Sequence, residues 1–212
     1  STWSLTGAGA GAVAGVSFVE VENLLGRTGN EDTFVVSEAG TLAGVLDGGD
    51  DGFDTLVFDG GTFNSVDYVA FDLHSGTVTR DGVTLEYAGL EPINDNMDVA
   101  DRVIDLSAYS DTAEITQTGG TGISITPQAP IDSDVLDAVF AAAGNNLTFE
   151  TINLGTLPSN SLTINLGTSH ELPLDFDAPI PFLSRDEVTI TGTVDLTGMD
   201  LIIEGQDNKD IV

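Results

Sequence analysis

Asp32-Thr33-Phe34-Val35 returns as Asp54-Thr55-Leu56-Val57, 22 residues further along the chain. Both copies open on Asp-Thr and run into three apolar residues, a short apolar stretch of the length and composition of a strand. A repeat of this length matches one coil of a stacked β-fold, in which each coil pairs only with the coils above and below it. Two further near-repeats lie downstream. Thr151-Ile152-Asn153-Leu154-Gly155 returns as Thr163-Ile164-Asn165-Leu166-Gly167, 12 residues later. Ser75-Gly76-Thr77-Val78, followed by Gly82 and Leu85, matches Thr191-Gly192-Thr193-Val194, followed by Gly198 and Leu201.

The rest of the chain reads the same way. Short runs rich in Val, Ile, Thr and Phe lie between Gly, Asn and Asp, the punctuation expected of strands and turns. They are Val16 to Val21, Thr55 to Phe58, Val66 to Leu73, Val83 to Tyr87, Ile123 to Ile125, Leu162 to Leu166, Val188 to Ile190 and Leu201 to Ile203. One helix is expected over 133–143, opened by Ser133 or Asp134 and closed by Gly144, with Val135, Leu136, Val139 and Phe140 on its apolar face. A shorter helical pattern from Val99 to Leu106 reads equally well as a strand. The fold class is therefore all-β: a right-handed parallel β-helix, or β-solenoid, with one short helix. A β-sandwich is the alternative, since it too has short strands at regular spacing. Residues 1–94 and 146–212 read as two solenoid segments of one continuous stack. Residues 95–145 read as an irregular connection, where Pro127, Pro130 and the helix fall.

Composition narrows the function. The chain has 212 residues, 35 acidic against 5 basic, for a net charge of −30. So few cations build no patch for nucleic acid phosphates or for an anionic membrane surface. The absence of cysteine excludes disulfides, thiolate catalysis and thiolate zinc sites. At 41% hydrophobic residues the chain is too apolar for a disordered acidic tail. An acidic coat suits salty or calcium-rich surroundings, where ions screen self-repulsion. The Gly/Ala-rich stretch from Ala8 to Val16 lacks a basic flank and is too short to span a bilayer. The chain is expected to be a module of something larger.

Two Gly-rich acidic loops carry the candidate site. They are Gly26-Arg27-Thr28-Gly29-Asn30-Glu31-Asp32 and Asp47-Gly48-Gly49-Asp50-Asp51-Gly52-Phe53-Asp54. Both resemble the repeats-in-toxin nonapeptide, whose tight turns aim Asp carboxylates and backbone carbonyls at calcium between stacked coils. The second loop has one residue too many after its Gly-Gly pair, and Arg27 interrupts the pair in the first. Calcium is the cofactor expected if any is bound, with Asp47, Asp50, Asp51 and Asp54 as ligands. Otherwise these aspartates are solvated, or cap turns through their own backbone.

The order Gly-Asn-Glu-Asp-Thr-Phe-Val-Val (29–36), Gly-Thr-Leu-Ala-Gly-Val-Leu-Asp-Gly-Gly (40–49), Phe-Asp-Thr-Leu-Val (53–57) and Ala88-Gly89-Leu90-Glu91-Pro92-Ile93 resembles repeat regions of giant bacterial exported proteins. These are adhesin-like and filamentous-haemagglutinin-like chains. Ser161 to Gly167 and Gly192 to Leu201 fit the same pattern, whereas Thr168-Ser169-His170-Glu171 stands where that family usually has Gly-Asp-Asp. The resemblance implies a secreted or cell-surface β-helical stalk or scaffold without catalysis in the repeats.

Enzymatic chemistry finds little support in the residues. A uronate lyase needs a basic residue, and Arg80, Arg102, Arg185 and Lys209 stand isolated. The charge repels polyanions. His74 and His170 lie in turn-like contexts and read as loop residues. Thr-rich strands raise the option of an ice-binding face, although Thr is also an ordinary strand-surface residue. Trp3, Tyr68, Tyr87 and Tyr109 are the aromatics on which a sugar platform would depend. The expected function is a structural or adhesive extracellular module, either part of a surface stalk or a filament subunit joining identical neighbours end to end. A calcium-dependent carbohydrate- or surface-binding adhesin module and a polysaccharide lyase are the alternatives.

Overall fold

The computed structural model describes residues 1–106, 112–128, 149–166 and 187–204. In chain order the strands are β1 (Thr2–Gly7), β2 (Ala10–Val13), β3 (Val16–Phe18), β4 (Leu24–Leu25), β5 (Thr33–Ser37), β6 (Val45–Asp47), β7 (Thr55–Asp59), β8 (Thr62–Ala70) and β9 (Gly76–Arg80). Then follow β10 (Val83–Ala88), β11 (Ile93–Asp95), β12 (Asp98–Asp105), β13 (Thr112–Gln117), β14 (Ile123–Pro127), β15 (Ile152–Leu154), β16 (Ser161–Asn165), β17 (Glu187–Thr191) and β18 (Asp200–Glu204). All regular structure among the described residues is strand. No helix there is long and apolar enough to cross a membrane. The helix expected over 133–143 lies outside the described residues. The ambiguous Val99–Leu106 run is strand β12, which suits its β-branched Val99, Val103 and Ile104.

The strands form two mixed sheets. A ten-stranded sheet runs β17-β13-β14-β15-β11-β7-β5-β1-β2-β3, and an eight-stranded sheet runs β18-β16-β12-β8-β9-β10-β6-β4. From β4 onward the chain passes back and forth between them, and parallel neighbours accumulate. Ten of the sixteen pairings are parallel. A β-sandwich of the kind weighed above has antiparallel neighbours. The antiparallel pairs here are local: the β1-β2-β3 meander, the β8-β9-β10 meander and β13-β14-β15. In that last stretch three successive strands stay in one sheet. The β1-β2-β3 and β8-β9-β10 stretches do the same, and the described part of 95–145 holds β12, β13 and β14 with turns between them.

Register explains why these sequences settle here. The 22-residue repeat stacks directly, with Thr33 on Thr55, Phe34 on Leu56 and Val35 on Val57. Leu56 then pairs with Ile93, and Ile93 with Ile152. One apolar ladder therefore crosses eight strands: Trp3, Phe34, Leu56, Ile93, Ile152, Ile125, Ile115 and Ile190. Slipping any strand by one residue would turn its apolar set outward. In the eight-stranded sheet Leu85, Val78, Tyr68, Ile104, Ile164 and Ile203 align in the same way. Buried residues of both sheets make one core cluster. The other two near-repeats do not stack. Residues 152–154 and 161–165 lie in different sheets, and of the third near-repeat the first copy forms β9 (Gly76–Arg80) while the second, 191–194, leaves its strand after Thr191. They reflect similar strand-and-turn chemistry, not equivalent positions.

Candidate functional site

Corners between strands bring the acidic residues together. Counted back from the paired strands, Asp32, Asp54, Glu91 and Glu150 occupy one register position in four stacked layers. Backbone bonds continue the stack, from Thr55 N–H to the Asp32 carbonyl (2.9 Å) and from Glu91 N–H to the Asp54 carbonyl (2.5 Å). Asp32, Asp54 and Glu150 are buried. The Asp54 carboxylate accepts the Asp32 N–H at 2.6 Å, and the Asp32 carboxylate accepts the Arg27 N–H at 3.2 Å. Burial, then repulsion from Asp32 and Glu91, raises the Asp54 carboxyl above its ordinary value despite the Asp32 N–H. Glu150 is pushed up to about 8, first by burial and then by the Glu91 charge, against the Thr151 N–H that favours its ionised form.

A histidine closes this corner. The loop between β8 and β9 is folded by Asp72, whose carboxylate accepts the His74 N–H at 2.9 Å. Leu90 N–H donates to the His74 carbonyl at 3.3 Å, tying the loop to the segment after β10. The imidazole Nδ1 contacts the Glu91 carboxylate and lies 3.5 Å from Glu150 Oε2. His74, Glu91 and Glu150 are the one group of three or more potential metal-ligating side chains, among the described residues, whose donor atoms lie within 4.8 Å of one another.

The two Gly-rich loops are corners of neighbouring layers. Asn30 bridges to Gly52, and Gly26 N–H donates to the Asp47 carbonyl at 2.7 Å. The four aspartates named from sequence do not converge as a cluster. Asp47 accepts the Gly49 N–H at 2.9 Å, Asp54 accepts the Asp32 N–H, and Asp50 and Asp51 are exposed.

A second polar group lies inside the core. Asp95 falls in a column otherwise filled by Leu5, Val36, Phe58, Leu154 and Ile123. Asp95 and Arg102 are fully buried. Arg102 Nε meets Asp95 Oδ2 at 2.8 Å and Nη2 meets Oδ1 at 3.2 Å. The Tyr68 hydroxyl donates to Oδ2 at 2.7 Å, and the Met97 N–H to Oδ1 at 2.8 Å. Arg102 also donates to the Met97 and Thr156 carbonyls. Burial, with the Asp95 charge, pushes the Tyr68 phenol well above its ordinary value.

Arg80 is buried, with no carboxylate partner among the described residues. It donates to the Ser37 and Gly40 carbonyls, and its guanidinium carbon sits 5.1 Å and 5.5 Å from the Phe58 and Phe63 ring centres. Burial pulls its guanidinium below the usual Arg value. A shallow cleft of about 170 Å³ opens beside it, with Glu38 and Thr41 on its wall. Arg80 and Arg102 are therefore spent on internal carbonyls and on Asp95. Arg185 and Lys209 lie outside the described residues.

Among the described residues, the aromatics named from sequence form no platform. Trp3 stacks on Phe34 at 5.5 Å, and Tyr68 and Tyr87 are buried. Tyr109 and His170 lie outside the described residues, as does the 168–171 turn. Some threonines stack, with Thr2, Thr33 and Thr55 in register on adjacent strands, whereas an outward column of the other sheet mixes Thr84, Thr79, Asp67, Val103, Thr163 and Ile202.

Sequence reading missed Glu91 and Glu150 as members of the Asp32–Asp54 ladder, because spacings of 37 and 59 residues hide the register behind inserted strands. It also missed the Asp95–Arg102 pair, because Asp95 takes the place that Phe58 fills in the neighbouring strand and only the register shows that this place is buried. No protein-family model, no curated protein and no solved structure matches the chain.

Proposed function

We propose that the chain is a β-solenoid segment with a structural role, a length of extracellular stalk or a unit of an end-to-end filament. The observation that carries this reading is the register. One apolar ladder passes through eight strands of one sheet while the chain alternates between two sheets. Such a stack grows by adding layers, and each layer needs contacts only with its neighbours. The sheets end in strands whose outer edges are unpaired among the described residues: β3 and β4 at one end, β17 and β18 at the other. Apolar side chains are exposed at both ends, Val16 and Leu25 near the first pair and Ile190 and Ile202 on the second. Edge backbone of this kind pairs with another chain unless covered. The net charge of −30 keeps other faces apart.

Calcium between the stacked Gly-rich loops belongs to the same reading, with loop carbonyls and the exposed Asp50 and Asp51 as its donors. The adhesin reading is less favoured, because Trp3 is packed on Phe34 and Tyr68 and Tyr87 are buried. Sedimentation velocity and electron microscopy over a range of protein concentrations test the proposal. Rod-shaped particles that lengthen with concentration are expected. Particles of compact outline at every concentration, or depolymerisation of a polysaccharide by the purified chain, would contradict it.

A further inference from the structure

We propose that His74, Glu91 and Glu150 form a binding site for one divalent transition ion, zinc or a metal of similar coordination, which clasps the β8–β9 loop to two stacked corners. The donor set selects the class of ion. An imidazole nitrogen with two carboxylates suits zinc and its first-row neighbours. Calcium takes six to eight oxygens and gains little from Nδ1.

Geometry and burial point to the same ion. The side chain of Glu150 is nine-tenths buried, and among the described residues its Oε2 meets only the His74 ring nitrogen, 3.5 Å away. A tetrahedral ion with bonds of about 2.1 Å holds its donor atoms about 3.4 Å apart. The Nδ1–Oε2 separation already has that value, and all three donors lie within 4.8 Å. Glu91 is the more exposed carboxylate and has room to draw back from the ring to make space for the ion. Without a cation, ionising Glu150 costs free energy, because its side chain is nine-tenths buried and stands beside Glu91. The three ligands come from sequence positions far apart, so an ion there closes long loops and stabilises the folded state by linkage.

The site is independent of the end-to-end assembly proposed above, and its test is separate. Zinc is titrated calorimetrically into the metal-free full chain at physiological salt, which screens diffuse attraction to the acidic surface. Cobalt absorption reports the coordination geometry. One saturable site is expected, with a tetrahedral cobalt spectrum and a raised unfolding midpoint. His74→Ala and Glu150→Gln should each weaken zinc at least a hundredfold, whereas the Asp50→Asn/Asp51→Asn variant should bind as the parent does. His74 lies in a loop, so its variant is expected to keep the parent's circular dichroism. The proposal is overturned by the absence of saturable binding, by binding that His74→Ala leaves unchanged, or by displacement of zinc by equimolar calcium.

Discussion

Asp95 occupies a position that the neighbouring strands fill with Phe58 and Leu154. It is tolerated because Arg102, Tyr68 and Met97 satisfy both carboxylate oxygens. Removing the cation alone strands a buried charge. Arg102→Met should therefore destabilise the chain by about 3–5 kcal/mol. Adding Asp95→Asn to that variant should recover part of the loss, since Asn carries no charge, its oxygen can still accept the Met97 N–H, and its NH2 can donate to the Tyr68 oxygen. Denaturant unfolding of the single and double variants checks this, and equal stability of the two would refute it. Glu150 supplies a pH prediction. Its folded value near 8 lies above the ordinary 4.5, so between these values the folded chain holds a proton that the unfolded chain releases. Stability then falls as pH rises through that window. His74 and Glu91 face the group from the neighbouring segments, and Asp54 lies one layer beyond Glu91. Glu150→Gln should flatten the slope of the unfolding midpoint between pH 5 and 8, measured in chelator. An unchanged slope would assign it to other groups.

At the scale of elements, the corners are where side chains must be absent. Gly26, Gly48 and Gly89 lie above one another in successive layers. A Cβ on Gly48 would meet the Gly89 carbonyl oxygen at 2.0 Å, and one on Gly26 would meet the Gly48 carbonyl oxygen at 2.2 Å. Gly48→Ala should destabilise by more than the ~1 kcal/mol usually at stake between Gly and Ala, because the backbone of two layers must part. Gly119 has open space around it, and Gly119→Ala should be close to neutral. Thermal unfolding of both variants tests this contrast. Strands were the legible part of the sequence: Thr55–Phe58, Val83–Tyr87, Ile123–Ile125, Val188–Ile190 and Leu201–Ile203 fall within strands, because β-branched and apolar runs are local signals, whereas Val16–Val21, Val66–Leu73 and Leu162–Leu166 run past the ends of β3, β8 and β16. The 22-residue repeat was also legible as a register, since no inserted strand separates β5 from β7 in their sheet. The next layers are reached only after the β8-β9-β10 meander and the β13-β14 hairpin, which no local pattern counts. The acidic cluster that forms was hidden for that reason. The aspartates of the visible Gly-rich loop stayed apart, because Asp47 and Asp54 are occupied by backbone N–H groups.

For the whole molecule, the proposed solenoid is a stack of layers held by hydrogen bonds along one axis. Val16, Leu25, Ile190 and Ile202 lie exposed at its ends. Assembly through those ends predicts an unfolding midpoint that climbs with protein concentration. Replacing Ile190 and Ile202 by Lys should abolish the climb while leaving the dilute midpoint within a few degrees. Calcium bound between the acidic loops predicts a higher midpoint in millimolar calcium than in chelator, and Asp50→Asn/Asp51→Asn should shrink that difference.

The layered register itself is tested most directly by cross-linking. The chain has no cysteine, so introduced pairs report without background. Val35 and Val57 are neighbours in register, as are Val57 and Asn94, whereas Val35 and Asn94 are two strands apart. Adjacent strands lie about 4.8 Å apart, within disulfide reach, and twice that distance is outside it. Val35→Cys/Val57→Cys and Val57→Cys/Asn94→Cys should oxidise readily within one chain, while Val35→Cys/Asn94→Cys stays reduced. Equal oxidation of all three pairs, or of none, would contradict the stack.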